Sequence, residues 1–143
     1  MDTGQNTAPM RSFSFDGKRQ PVSFVETLHV TNDVNCDVYA FDGDQTKDLG
    51  IIRIRPGGKT PLQKVLKGDK TIEGYISGTG KLIITQPDGK QKVYIADPKS
   101  PKPIVVTVGI NEVMQWEADK ESELTAYEIC FPPYEDGRYE NIK

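Results

Sequence analysis

Apolar and polar positions alternate through most of this chain. In segment 22–31, Val22, Phe24, Leu28 and Val30 fall on one face at period two, and Ser23, Thr27 and His29 fall on the other. This predicts a first long strand, broken by Asn32-Asp33. Segment 36–41 is the next strand, closed by Asp42-Gly43-Asp44. In 49–55, Ile52 and Ile54 share one face while Arg53 and Arg55 share the other. Segments 81–86 and 91–96 form a hairpin around Pro87-Asp88-Gly89-Lys90, a sequence suited to a tight turn. Residues 97–103 carry Pro98, Pro101 and Pro103 and read as a loop. Segments 104–108, 112–118 and 124–131 are the last strands. Pro132-Pro133 ends the sheet, because neither can donate to a ladder. No segment shows a sustained helical stripe. About ten short strands separated by Gly, Pro and Asp turns predict an all-β sandwich or barrel.

The flanks are different. Residues 1–10 are small and polar, which predicts a disordered leader. Residues 11–19 alternate Phe13 and Phe15 with serines and end in an Asp-Gly turn, so they read as an edge strand or as an arm packing on a partner subunit. The domain plan is therefore a leader and dimer arm over 1–19, a barrel over 20–133 and a polar tail over 134–143.

At 143 residues the chain suits one domain with a proper core. The net charge of −3 is slight and mixed in sign, which argues against nucleic acid and against an anionic membrane surface. No run reaches the length of a membrane span, and the N-terminal segment lacks a signal-peptide apolar core. A soluble, cytoplasmic protein is expected. Cys36 and Cys130 each sit in an apolar run and read as buried free thiols. His29 is the only histidine, and a surface or hydrogen-bonded role suits it better than catalysis.

Residues 56–80 read PGGKTPLQKVLKGDKTIEGYISGTG, two short strands hinged by Lys67-Gly68-Asp69-Lys70 between two glycine turns. This stretch resembles the first motif of the cupin superfamily: a glycine, two histidines one residue apart, a glutamate and a closing glycine. Gly57, Gln63 and Gly78 stand at motif positions. The histidine positions hold Gln63 and Val65, and the glutamate position falls on Thr71. The second cupin motif is matched over 107–116 by its glycine, Gly109; its histidine and asparagine positions hold Glu112 and Trp116. The resemblance covers roughly 48–133. It implies a double-stranded β-helix (a jelly roll, or cupin-like barrel) with a cleft between two sheets. A metallo-cupin holds its metal with three histidines and a glutamate. Gln63, Val65, Thr71 and Glu112 are too few and too weak as ligands, so no metal and no cofactor are expected.

If the motif positions face inward, so do their period-two neighbours. The expected cleft then holds Glu73, Glu112 and Tyr75 as catalytic candidates. Gln63, Thr71, Met114 and Trp116, with Arg53 and Arg55 nearby, are the ligand-binding candidates. Glu73 and Glu112 would act as an acid–base pair, with Tyr75 as a candidate acid. Two alternatives stand beside this. The aromatic and methionine side chains fill volume, and an inward Glu pairs with Arg53, Arg55 or Lys64. A one-residue slip in strand phase would turn Glu73 outward.

The resemblance implies three function classes. One is a metal-independent cupin that binds, and isomerises or epimerises, a small polar metabolite such as a sugar derivative. Another is a ligand sensor without chemistry. The third is a homodimerisation module, as in cupins that have lost their metal ligands.

Overall fold

The computed structural model describes residues 9–101, 103–135 and 137–142. The leader expected over 1–10 falls largely outside the described residues. Twelve strands, and no helix among the described residues, make up the chain. They are β1 (Ser12–Phe15), β2 (Lys18–Thr31), β3 (Val34–Phe41), β4 (Asp44–Ile54), β5 (Leu62–Val65) and β6 (Lys70–Gly78). These are followed by β7 (Gly80–Thr85), β8 (Gln91–Ala96), β9 (Val105–Val108), β10 (Val113–Ala118), β11 (Leu124–Phe131) and β12 (Tyr139–Ile142). They form a seven-stranded sheet, in the order β1-β2-β3-β4-β11-β6-β9, and a five-stranded sheet, in the order β12-β5-β10-β7-β8. Every pairing between named strands is antiparallel. The architecture is all-β, as the alternation and the glycine turns predict, and it is the jelly roll that the cupin resemblance implies.

The two sheets face each other across a core that includes Ile52, Ile54, Val65, Leu82, Ile84, Val108, Met114, Trp116 and Leu124. Small residues set how close the chain segments come. Gly78 has φ +88°, and a Cβ there would run into the backbone of Glu123, so the turn between β6 and β7 needs glycine. A second core lies on the outer face of the larger sheet and joins Val22, Tyr39, Phe41, Leu49, Ile51, Ile72, Tyr127 and Ile129.

One alternative is chosen and two expectations change. Residues 11–19 form β1, an edge strand as one of the two readings has it, and the start of β2, turning at Asp16-Gly17, and the segment lies on its own chain. Phe13 and Phe15 meet Tyr127 edge-on, with ring centroids 5.1 and 6.2 Å away. The face expected for segment 22–31 is interrupted by register shifts between Phe24 and Glu26 and between His29 and Thr31. A bulge puts two residues against one and so reverses the side-chain phase. Phe24 therefore pairs with Tyr39 on the outer face, whereas Leu28 pairs with Cys36, which packs on the inner core. The tail, expected as a polar extension, contributes β12, which pairs with β5 from Tyr139↔Val65 to Ile142↔Leu62.

Candidate functional site

Directly opposed residues of antiparallel strands share a face, so cross-strand rows show what the inner face of the larger sheet presents. One row runs Glu26, Val38, Gly50, Glu128, Glu73 and Val106 across β2, β3, β4, β11, β6 and β9. The next runs Ser23, Ala40, Asp48, Cys130, Thr71 and Val108. Three carboxylates, Asp48, Glu73 and Glu128, thus stand on neighbouring strands and face inward. Gly50 keeps the row open beside Glu128, because a Cβ there would lie 2.9 Å from the Cys36 Sγ.

Glu73 is 1% exposed. Its Oε1 accepts a 2.7 Å hydrogen bond from the indole N–H of Trp116, itself 1% exposed. Its Oε2 has no donor among the described residues. Glu128, half-buried and directly opposite, accepts a 2.6 Å bond from the Tyr139 hydroxyl. Burial, and then the charge of Glu128, push the Glu73 carboxyl well above the ordinary range; burial likewise raises Glu128. Two carboxyls so placed do not both ionise readily.

The tail frames this pair. Besides Glu128, the Tyr139 hydroxyl contacts Thr71 Oγ1 at 3.2 Å and Cys130 Sγ at 3.1 Å. Burial and the Glu128 charge raise its pKa, so it remains a donor. Arg138, 1% exposed, donates to the carbonyls of Pro132, Lys70 and Phe131 at 2.9, 2.7 and 3.2 Å and to Thr71 Oγ1 at 3.3 Å. Gly68, at φ +105°, makes room for it, because a Cβ there would fall on the guanidinium. Asp48 accepts the Tyr134 N–H at 3.0 Å, and burial raises its pKa. Asp48 also borders a cleft of about 730 Å³ whose lining includes Val25, Val38, Ala40 and Pro133.

The structure brings only part of the expected set together. Glu73, Thr71, Met114 and Trp116 lie inside the barrel. Trp116 and Met114 are core, 1% and 4% exposed, so Trp116 offers no ring face to a ligand. Tyr75 shares the Glu73 face but donates its hydroxyl to the Gly78 carbonyl at 2.7 Å. Glu112 is not the partner of Glu73: its carboxylate accepts the Gly109 N–H at 2.7 Å within its own turn. Gln63 bonds Asn141 at 3.4 Å near the surface. Arg53 and Arg55 face outward; Arg53 pairs with Asp37 at 2.9 Å on the outer surface. Sequence reading missed Glu128, Tyr139, Asp48 and Arg138. The signal for Glu128 was present, since it continues the inward phase of Leu124 and Ala126 within an otherwise apolar strand.

Cys36 and Cys130 are free thiols whose pKa burial raises. The positions where a metallo-cupin carries ligands do not suit a metal here. Val65 has no donor atom, the Thr71 hydroxyl is engaged by Arg138 and Tyr139, and Glu112 and Gln63 are turned to other partners. Among the described residues, no group of three or more His, Cys, Asp or Glu is arranged to hold a metal ion.

With its two facing antiparallel sheets and inward-facing site, the chain has the cupin fold. Structures similar to it include a cupin-2 domain protein of Rhodospirillum rubrum, with a TM-score of 0.62 and 15% identity over 96% of this chain and 84% of that one. Oxalate decarboxylase of Bacillus subtilis matches with a TM-score of 0.62 and 17% identity over 79% of this chain and 29% of that one. CapF, a capsular polysaccharide assembling protein of Staphylococcus aureus, matches with a TM-score of 0.63 and 11% identity over 86% and 34%. The chain thus spans about a third of the latter two proteins. No protein-family model and no curated protein matches its sequence.

Proposed function

We propose that this chain is a metal-independent cupin that binds a small polar metabolite, such as a sugar derivative, at the open end of its barrel. The ligand enters by the Val38–Asp48 cleft and reaches Glu128. The observation that carries this reading is the inward carboxyl pair. Glu128 is partly exposed, and Glu73 behind it is sealed and hydrogen-bonded by Trp116. Such a pair offers one proton and several acceptor lone pairs to a hydroxylated ligand. Proton transfer of the isomerase or epimerase kind is the chemistry it serves, with Glu128 exchanging the proton and Glu73 setting its pKa. The fold of enzymes such as oxalate decarboxylase and CapF is compatible with this, although their activities are their own.

The test is a thermal-shift screen of sugars, nucleotide sugars and organic acids, followed by titration of hits against Glu128→Gln. We expect a stabilising ligand whose affinity falls about tenfold in the variant, the loss of one hydrogen bond to a charged group. A hit that binds both proteins equally, or no hit at all, sinks the reading.

A second reading, homodimerisation, is favoured by one observation. Phe24, Val25, Leu28 and Val30 on β2 are 39–55% exposed, along a strand whose outer edge β1 covers only as far as Pro21. Such an edge is a template for another strand.

A further inference from the structure

The segment Gly137–Ile142 occupies the position that a ligand of the carboxyl pair would need, and it does so with a side chain that resembles a ligand. Tyr139 is a phenol whose hydroxyl donates to Glu128 Oε1 and touches Thr71 and Cys130. Thr71 is also where the cupin motif places a metal ligand. The backbone of the segment is paired along one edge only. β12 is a four-residue edge strand bonded to β5, itself four residues long. Glu140, Asn141 and Ile142 are exposed. What fastens it is Arg138, whose guanidinium rests over Gly68 and grips four oxygens belonging to Lys70, Thr71, Phe131 and Pro132. The buried Arg138 Nε has no acceptor among the described residues. A polar group sealed without a partner favours states in which water reaches it.

We propose that this strap is a displaceable occupant of the barrel, an internal stand-in that Arg138 latches and that yields the Glu128 site to a ligand carrying a hydroxylated ring. The inference rests on the reading of Glu128 as the ligand contact, and it adds how that site is guarded. When Tyr139 withdraws, it leaves a ring-sized space with Glu128 and Thr71 as its polar end.

Two measurements on the full chain test it. The first is native-state hydrogen exchange. Amides of β12 and β5 should exchange at least about 100-fold faster than those of β7 and β10, which marks an opening smaller than global unfolding. Gly68→Ala, which crowds the guanidinium, should speed that opening further. The second is chemical rescue: Tyr139→Gly should bind p-cresol, seen as a rise in melting temperature that the wild-type chain does not show. If Tyr139→Gly fails to fold, Tyr139→Phe serves instead. It keeps the ring but releases Glu128, and it should speed strap exchange without altering that of β7. Strap amides that exchange only with the whole barrel overturn the proposal, as does a folded Tyr139→Gly indifferent to p-cresol. If p-cresol binds but no polar metabolite binds either protein, the strap inference stands and the metabolite reading fails. If a metabolite binds at Glu128 while the strap opens only globally, the metabolite reading stands and the strap inference fails.

Discussion

Glu73 is a residue whose environment is set almost entirely by two neighbours, one helpful and one not. Trp116 donates to it, and Glu128 confronts it. Trp116→Phe keeps most of the ring's packing but leaves Oε1 without its donor. The expected loss is about 1–3 kcal/mol of unfolding free energy, measured by denaturant melts. The pair also makes stability depend on pH. Both carboxyls have raised pKa values in the folded chain, so the folded state binds more protons than the unfolded one between the ordinary carboxyl range and the raised values. Stability is then fullest below that window and falls as pH rises through it. Glu73→Gln removes one acid and leaves a neutral amide. The melting temperature of wild type minus that of the variant should therefore drop as pH rises above the ordinary carboxyl range. A flat difference curve would mean that folding leaves the Glu73 pKa unshifted. Glu73 was legible in the sequence because the motif spacing set the phase of its strand. Its partner was misread as Glu112, because both lie on inward positions and only the folded chain shows Glu112 committed to the Gly109 N–H.

Of the elements that alternation predicts, β8 and β11 match the expected segments and the hairpin between β7 and β8 turns where Pro87 to Lys90 predicted, whereas β2 and β4 begin several residues earlier than expected. Alternation failed where the ladder itself is irregular. The bulges in β2 invert its faces partway along, and no residue type in that run announces them. β12 was missed because four mixed residues carry no period of their own; pairing with β5 makes them a strand. The arm was recognised as a strand candidate, but its partner was not legible, since the sequence does not say that Tyr127 faces outward beneath it. Phe13→Ala tests that placement. Stripping a half-buried ring from Tyr127 should cost about 1–2 kcal/mol in a concentration-independent way. A loss that disappears at high protein concentration would return the arm to a partner subunit.

At the scale of the molecule, the two sheets are unequal. Seven strands face five, and β1, β2 and β3 make up one flank of the larger sheet, where Phe24, Val25, Leu28 and Val30 of β2 are exposed. That flank is the natural place for a second copy. If the chain pairs there, light scattering should give twice the chain mass, and Leu28→Lys, which puts a charge into that edge, should halve it. A full-length chain that is already monomeric at high concentration would leave β2 as an edge without a partner. No helix among the described residues is long and apolar enough to cross a membrane.

The placement of Arg138 and Tyr139 so near residue 142 bears on how the protein is handled. Anything fused beyond that point, an affinity tag or a reporter, hangs from the strand that plugs the barrel. Its drag falls on the Arg138 latch before it reaches any other part of the fold. A tagged preparation would then show altered ligand uptake with an intact melting curve. Moving the tag to the opposite terminus, beyond an arm anchored on Tyr127, would restore the native response without changing a residue.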